Sequence, residues 1–265
     1  MLLAIDVGNT NTVFALYQDR QPVGQWRLST NRERTADEYA AALLQLMALA
    51  GHSREVINAV AISSVVPQAV FPLRRMSTDH FGCRAFVVGE DLEVGFEVDL
   101  DNPREVGADR LVNAIAAHRR YGGDLIVVDF GTATTFDVVD ATPVYRGGVI
   151  ATGINLSLDA LSRAAAKLPR IAVERPKRVI GRNTVDAMQS GVYWGYVSLI
   201  EGLVQRIKAE FGRPMTVIAT GGLAPLFASS TPVIEHVDRD LTMLGLVELY
   251  MDNRSAMRRD MGVRP

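Results

Sequence analysis

Short apolar runs and amphipathic helical segments alternate along this chain. Apolar residues at helical spacing predict helices over about 35–50 and 184–210, with further helices beginning near Leu111, Leu156 and Leu241. The strand-like runs end at glycine or polar turns and cover residues 2–6, 12–17, 23–29, 57–62, 86–88, 94–98, 125–129, 134–140, 143–150 and 216–219. Strands and helices mixed in this way are typical of an α/β protein.

One short motif occurs twice, after the strand-like runs that begin at Leu2 and Leu125. Each copy reads Asp-x-Gly-x-x-x-Thr, from Asp6 to Thr12 and from Asp129 to Thr135. The glycine permits a tight turn, and the residues around it offer backbone N–H groups and hydroxyls to an anion. The aspartate can hold a hydrated divalent cation. Either copy alone also fits an ordinary hairpin whose aspartate caps the turn.

The repeat predicts two similar halves, residues 1–122 and 123–265, each built on a mixed sheet and facing the other across a cleft. Phosphoryl transfer in such a cleft needs charge neutralisation, positioning of the phosphates and a proton acceptor. Asp6 and Asp129 could bring a metal ion to a triphosphate. Thr132 could line one side of the phosphates, and the polar residues of the first turn could line the other: Asn9, Thr10, Asn11 and Thr12.

The segment Gly107-Ala108-Asp109-Arg110 leads into a helix and is the candidate for the third requirement. Asp109 falls in the first helical turn, where free N–H groups and the helix dipole favour an anion. It can therefore be a proton acceptor or simply a capping residue. Arg110 could bind a carboxylate or phosphate through two hydrogen bonds, or it could be a solvated surface charge.

Composition removes several classes of protein. The 265 residues are 48% hydrophobic and carry a net charge of −2, which favours neither nucleic acid nor an anionic membrane as a partner. No Gly-x-x-x-x-Gly-Lys-[Ser/Thr] run is present, so the chain has no P-loop. Cys83 is the one cysteine, and no apolar stretch approaches the ~18 residues of a spanning helix. We expect a cytoplasmic protein.

Four segments together resemble the type III pantothenate kinases, in their order and in the overall length of the chain. They are Asp6-Val-Gly-Asn-Thr-Asn-Thr-Val13, Asn102-Pro-Arg-Glu-Val-Gly-Ala-Asp-Arg110, Asp129-Phe-Gly-Thr-Ala-Thr-Thr135 and Gly181-Arg-Asn-Thr184. The repeated motif alone is similar to the wider superfamily of acetate and sugar kinases, chaperone ATPases and actin. The resemblance implies duplicated ribonuclease H-like domains, as in the actin-like ATPases, with an interdomain cleft.

The resemblance also implies roles for individual residues. ATP phosphates would be bound by the first motif, which consists of Asp6, Val7, Gly8, Asn9, Thr10, Asn11, Thr12 and Val13, and ATP would also contact Thr132. Pantothenate would be bound by Thr184 and by the segment Gly107, Ala108, Asp109 and Arg110, with Asp109 as the proton acceptor. Asp129 would bind K⁺ or NH₄⁺, and Mg²⁺ would accompany ATP near Asp6. Some family members carry an aromatic residue where this chain has Leu100, which puts a pantothenate contact at that position in doubt.

The resemblance implies a homodimer, and the segment 184–210 gives a separate reason to expect one. Its apolar residues cover much of the helix circumference: Val185, Met188, Val192, Tyr193, Trp194, Tyr196, Val197, Leu199 and Ile200. A helix that is apolar most of the way round must be covered on both sides. A second subunit would supply the second cover, unless the helix is buried wholly within its own domain.

Three functions follow from these observations. The first is ATP-dependent phosphorylation of the primary hydroxyl of pantothenate to 4'-phosphopantothenate, the opening step of coenzyme A biosynthesis. The second is a regulatory accessory factor in transcription, because relatives of this family have been described in that role. The near-neutral charge and the lack of a helix-turn-helix pattern disfavour direct DNA binding. The third is a different small-molecule kinase, or a phosphohydrolase, on the same fold.

Overall fold

The computed structural model describes residues 1–164 and 168–260, with side chains described as far as residue 254. The strands are β1 (Leu2–Val7), β2 (Asn11–Gln18), β3 (Gln21–Ser29), β4 (Ala59–Ser64), β5 (Ala85–Val87), β6 (Glu97–Val98), β7 (Leu125–Phe130), β8 (Ala133–Val139), β9 (Val144–Thr152), β10 (Thr216–Gly221) and β11 (His236–Val237). The helices are α1 (Ala36–Leu49), α2 (Pro67–Phe81), α3 (Ala108–Tyr121), α4 (Ile154–Ala164), α5 (Thr184–Phe211), α6 (Ala224–Ala228) and α7 (Leu241–Asp260). No helix in these described ranges is long and apolar enough to cross a membrane.

The two sheets share one topology. The first has the order β3-β2-β1-β4-β5, and the second has the order β11-β10-β7-β8-β9-β6. In the first sheet β1 pairs antiparallel with β2 and parallel with β4, and in the second β7 pairs antiparallel with β8 and parallel with β10. Strand for strand, β1-β2-β3-β4-β5 corresponds to β7-β8-β9-β10-β11, so the predicted duplication and the mixed sheets are confirmed. The short strand β6 is an addition at the edge of the second sheet.

Both faces of the first sheet are covered. Alternate residues of β1 point to opposite faces, as the pleat requires. Leu3, Ile5 and Val7 pack in a core with α1 and α2, whereas Leu2 and Ala4 pack in a second core with α3 and α7. The second sheet packs one face on α5 and α6, in a core that contains Phe136, Tyr193 and Phe227. The turns that carry the repeated motif follow the carboxyl ends of β1 and β7.

The chain forms two compact units whose residues are not consecutive. The first contains residues 1–96, 102–116 and the chain from Asp240 onward, and the second contains residues 97–101 and 117–239. Helix α7 belongs to the first unit because it packs on β1 and β4 of the first sheet. It also lies close to α3, where a Cβ on Gly245 would lie only 2.3 Å from the carbonyl oxygen of Val112. The halves 1–122 and 123–265 remain a prediction about domains.

Most predicted elements are confirmed, including α1 with its capping box at Thr35 and Glu38 and the 28-residue helix α5. Helix α2 has no counterpart among the predicted elements. It begins with Pro67 at its first turn and carries Pro72 inside, and the strand predicted over residues 94–98 is reduced to β6. Pro67 is compatible with the start of a helix because its missing N–H has no partner there in any case.

Candidate functional site

The turn between β1 and β2 presents three polar side chains. The N–H of Gly8 donates to the carbonyl of Asn11 at 2.9 Å, and this bond closes the turn. A Cβ on residue 8 would lie 3.3 Å from that same carbonyl oxygen, which favours glycine. Asn9, Thr10 and Asn11 are exposed at the tip. Amide and hydroxyl groups held on a short tight turn are suited to binding an anion.

Hydrogen bonds from Thr12 and from Thr30, a residue outside the motif, hold this turn in place. Thr12 is fully buried, and its hydroxyl lies 3.0 Å from that of Thr30, which in turn donates to the carbonyl of Gly8 at 2.7 Å. The N–H of Thr30 donates to the carbonyl of Thr10 at 2.9 Å. Val7 is buried and Val13 is half-buried. Sequence reasoning missed Thr30, because a threonine just after a strand has no feature that distinguishes it from an ordinary loop residue.

Asp6 lies at the end of β1, half-buried, on the face that packs against α3 and α7. Its register partners are Val13 on β2 and Ser63 on β4. Register partners share one face of a sheet, so the side chains of Asp6 and Ser63 are neighbours. Ser63 is fully buried, and its Oγ has no hydrogen-bond partner within the described part of the chain.

Asp109 is held against the start of α3. One of its carboxylate oxygens, Oδ1, accepts from the N–H of Arg110 at 2.8 Å. A Cβ on Gly107 would lie 2.6 Å from that oxygen and 3.3 Å from Cγ1 of Val65, so glycine is needed for this close packing. Burial raises the pKa of the Asp109 carboxyl, and the N–H and charge of Arg110 lower it in part. The carboxyl is therefore a stronger base than an exposed aspartate.

If Asp109 is the predicted proton acceptor, its raised pKa predicts the acid limb of a pH profile. Only the ionised carboxylate can accept a proton, and the raised pKa means that Asp109 becomes protonated at a higher pH than an aspartate of ordinary pKa, 3.8. We expect kcat/KM to fall as the pH drops through a midpoint above that value. A pH profile of kcat/KM checks this. An acid limb centred at or below 3.8 in a protein that stays folded would contradict it.

The second hairpin, between β7 and β8, is closed by the N–H of Gly131, which donates to the carbonyl of Ala133 at 3.0 Å. Thr132 is exposed at its tip. Its carbonyl accepts from the N–H of Gly153 at 3.1 Å, and a Cβ on Gly153 would lie only 2.2 Å from that oxygen. Gly153 therefore fixes the turn, a role that sequence reasoning missed.

Asp129 lies half-buried at the end of β7 between two threonines. Its register partners are Thr135 on β8 and Thr220 on β10. Gly221, with a φ of +89°, passes so close that a Cβ there would lie 2.8 Å from Oδ1 of Asp129. Carboxylate and hydroxyl oxygens side by side are suitable ligands for a hard cation.

Thr184 is the first residue of α5 and is exposed. The preceding residue, Asn183, caps the helix by accepting from the N–H of Asp186 at 2.9 Å. A Cβ on Gly181 would lie 2.3 Å from the backbone nitrogen of Ala187, so the segment Gly181-Arg-Asn-Thr184 is pressed onto the first turn of the helix. The predicted residues thus fall into two sets, with Asp6 to Val13 and Gly107 to Arg110 in the first unit and Asp129, Thr132 and Thr184 in the second.

Comparison with known proteins identifies the family. A family model described as type III pantothenate kinase matches residues 2–206. A type III pantothenate kinase from Paramagnetospirillum magneticum is 59% identical over 259 residues, which is 97% of this chain and 100% of the relative. One from Caulobacter vibrioides is 57% identical over 258 residues, which is 97% of this chain and 99% of the relative. The chain belongs to the type III pantothenate kinase family.

Solved structures confirm the fold class for this member of the family. A 2-dehydro-3-deoxygalactonokinase-like protein from Sinorhizobium meliloti matches with a TM-score of 0.61 at 12% identity, over 95% of this chain and 96% of that one. A protein from Campylobacter jejuni, described as a Baf family transcriptional activator, matches with a TM-score of 0.60 at 19% identity, over 96% and 99%. At these identities the likeness shows the duplicated ribonuclease H-like fold alone.

Leu100, where the resemblance implies an aromatic residue in some members of the family, packs on the second sheet. Its Cδ2 would lie 3.2 Å from a Cβ on Gly147, so the leucine packs over the glycine in β9. Gly147 has a φ of +101°, a backbone conformation in which a side chain would be strained. Leu100 is therefore an apolar packing residue here.

Proposed function

We propose that this protein transfers the terminal phosphoryl group of ATP to the primary hydroxyl of pantothenate and so carries out the first step of coenzyme A biosynthesis. The observation that supports this most strongly is family membership over nearly the whole chain, at 59% identity to a type III pantothenate kinase. A kinase of this family uses ATP as its phosphoryl donor. The local surroundings of the proposed site residues within each unit support the same reaction.

Asp109 is the proposed proton acceptor. As the hydroxyl oxygen of pantothenate attacks the terminal phosphorus, its proton passes to the Asp109 carboxylate and the bond from phosphorus to the leaving ADP oxygen breaks. Burial raises the pKa of this carboxyl, and the Arg110 N–H fixes the direction of one oxygen. The second oxygen is then the one we assign to the substrate. Arg110 and Thr184 are the proposed pantothenate contacts from the predicted set.

The two hairpin tips are the proposed phosphate-binding elements. Asn9, Thr10 and Asn11 are exposed on the first, and Thr132 is exposed on the second. The buried Thr12 is committed to Thr30, so its proposed part is to hold the turn and not to offer its hydroxyl to ATP. Val7, Gly8 and Val13 contribute through the backbone.

The residues present also fit the cations that the family implies. Within the described ranges, no three acidic, histidine or cysteine side chains come together as a metal cluster. Mg²⁺ is commonly held by one or two carboxylates together with substrate phosphates, which matches a single Asp6 at a strand end. Asp129, flanked by two hydroxyls, fits K⁺ or NH₄⁺. Such ions would neutralise charge on the phosphates.

The direct test uses purified protein with ATP, Mg²⁺ and K⁺, and follows ADP release with and without pantothenate. We expect ADP release that depends on pantothenate and falls when Na⁺ replaces K⁺. Release of ADP with another alcohol only would favour a different small-molecule kinase. No acceptor-dependent ADP under any of these conditions would contradict the proposal and leave a regulatory role as the alternative.

A homodimer is the proposed assembly, but the structure changes which residues should test it. Helix α5 buries Tyr193, Tyr196 and Ile200 in the core of its own unit, and Trp194 packs against that core with Arg175 over its ring at 5.7 Å. Among the described residues of this unit, Ile150 is exposed on β9 and Val237 on β11, and the other large exposed apolar side chains lie before α5, at its first turn and on α4: Val179, Ile180, Val185, Leu156 and Leu161. We propose that this surface is covered by the second subunit.

We therefore expect the Ile180→Glu variant to be monomeric. Ile180 is 83% exposed, so the charge costs the single chain little but would be buried in a dimer. Light scattering should give about twice 28.9 kDa for the unaltered protein and 28.9 kDa for the variant. Phe71→Glu, at a residue 71% exposed on α2 of the first unit, is the matched control and should remain dimeric. A monomeric unaltered protein, or a dimeric Ile180→Glu variant, would contradict this assignment.

A further inference from the structure

A row of three oxygen-bearing side chains crosses the second sheet at the carboxyl end of β7. Thr220 on β10, Asp129 on β7 and Thr135 on β8 are register partners across three adjacent strands. Residues directly opposite each other on neighbouring strands have Cβ atoms about 4.5–5.5 Å apart and share a face. The side chains of both threonines therefore lie next to that of Asp129, where the monovalent cation is proposed.

The hydroxyl of Thr135 has a fixed direction. It donates to Oδ2 of Asp137 at 2.9 Å, and the other carboxylate oxygen of Asp137 accepts from the Tyr145 hydroxyl at 2.6 Å. A threonine hydroxyl has one proton and two lone pairs. Because the Thr135 hydroxyl donates its one proton to Asp137, its oxygen can offer only lone pairs to another group. An oxygen in this state can be a ligand of a cation.

The corresponding hairpin of the first sheet, β1 and β2, forms without the polar pair Thr135 and Asp137. Asp6 is paired with Val13 where Asp129 is paired with Thr135, and two residues further along β2 the buried Ala15 corresponds to Asp137. The same strand topology therefore forms with apolar residues at both positions. Burying a carboxylate costs free energy that a merely structural hairpin would avoid. Thr135 and Asp137 are thus specific to the hairpin that carries Asp129.

We propose that Oγ1 of Thr135 is a ligand of the monovalent cation held at Asp129, and that Asp137 is the positioning residue that orients it. This inference rests on the proposed function, which supplies the cation. Oxygens with no proton directed at the ion can replace part of the hydration shell of K⁺ or NH₄⁺. Second-shell partners of metal ligands commonly matter for affinity by about 10–100-fold.

The test compares thermal unfolding in KCl and NaCl at equal ionic strength, with and without ADP and Mg²⁺. An ion that binds only the folded state raises the unfolding temperature, so the difference between the two salts reports cation binding without activity. We expect a higher unfolding temperature in KCl for the unaltered protein and for Thr135→Ser. Thr135→Val removes the hydroxyl oxygen that is the proposed ligand. Asp137→Asn places an amide N–H, which is a hydrogen-bond donor, next to that oxygen in place of a carboxylate. Both variants should therefore unfold at the same temperature in KCl and NaCl. In Asp137→Asn the K⁺ concentration for half-maximal activity should rise about 10–100-fold.

Tyr145→Phe is the matched control, because it removes the other partner of Asp137 and leaves the Thr135 bond in place. It should lower the unfolding temperature in both salts and keep the difference between them. A Thr135→Val variant that keeps the preference for K⁺ would overturn the ligand role, and an Asp137→Asn variant that keeps it would overturn the positioning role. Pantothenate-dependent ADP release at saturating K⁺ is measured on the same samples. If the unaltered protein releases ADP but shows no preference for K⁺, this inference fails while the kinase function stands.

Discussion

Asp109→Asn is expected to lower kcat for pantothenate phosphorylation by about 10²–10⁴-fold, the range that general-base assistance commonly supplies. The substitution keeps the size of the side chain, and its amide oxygen can still accept from the Arg110 N–H at the position where Oδ1 now accepts at 2.8 Å. It removes the ability to take the proton. Because neither hairpin tip is altered, KM for ATP should change little. Steady-state kinetics with both substrates varied would measure these constants.

The matched control for this experiment is Asp79→Asn. Asp79 is an exposed aspartate on α2 whose ion pair with Arg75, at 2.7 Å, joins residues four apart on the helix. Exposed pairs of this kind contribute a few tenths of a kcal/mol, so this variant should keep its kcat. A second readout separates catalysis from capping, because Asp109→Asn should also lose the acid limb of kcat/KM. If the variant keeps near-normal kcat, Asp109 is a helix cap and the proton has another acceptor.

The repeated motif shows how far sequence spacing can be trusted. Thr12 and Thr135 each lie six residues after their aspartate. In the structure Thr12 is paired with Val7 and is buried on the opposite face from Asp6, whereas Thr135 is paired with Asp129 itself. The first turn contains residues 8–11 and the second only residues 131–133. One residue more in a turn moves every later side chain to the other face, and spacing along the chain does not show it.

Local pattern predicted the elements better than it predicted their partners. The capping box at Thr35, the apolar spacing in α5 and the strand-turn-strand runs are local, and they have the predicted form. The packing of α7 on β1 and β4 of the first sheet joins residues far apart along the chain, and so does its contact with α3, where the Thr242 hydroxyl donates to Oδ1 of Asn113. The pattern of an amphipathic helix predicts that one face is buried, but it does not show which element covers that face. Ser63 and the bond from Tyr145 to Asp137 were missed for the same reason, because in each case the neighbour comes from another strand.

Gly221→Ala is expected to damage both stability and activity. Gly221 has a φ of +89°, and a Cβ there would lie 2.5 Å from the carbonyl oxygen of Phe130 and 2.8 Å from Oδ1 of Asp129. Gly221 therefore lies very close to β7, and the methyl group of an alanine at this position would have to displace either that strand or the Asp129 carboxylate. Backbone strain of this kind costs about 1–3 kcal/mol, and the overlap adds to it. We expect the free energy of unfolding to fall by at least about 2 kcal/mol, and kcat to fall as Asp129 shifts.

The neighbouring glycine separates this effect from a general intolerance of alanine in the turn. Gly222 is exposed, and a Cβ there would meet no atom within 4 Å of the described protein. Gly222→Ala should therefore unfold at the same temperature as the unaltered protein, while Gly221→Ala should unfold roughly 4–8 °C lower, as expected for a chain of this size. Calorimetry of the two variants measures the difference. Equal unfolding temperatures for Gly221→Ala and Gly222→Ala would show that β10 and β7 can part without cost, and that Asp129 is not held by the close approach of Gly221.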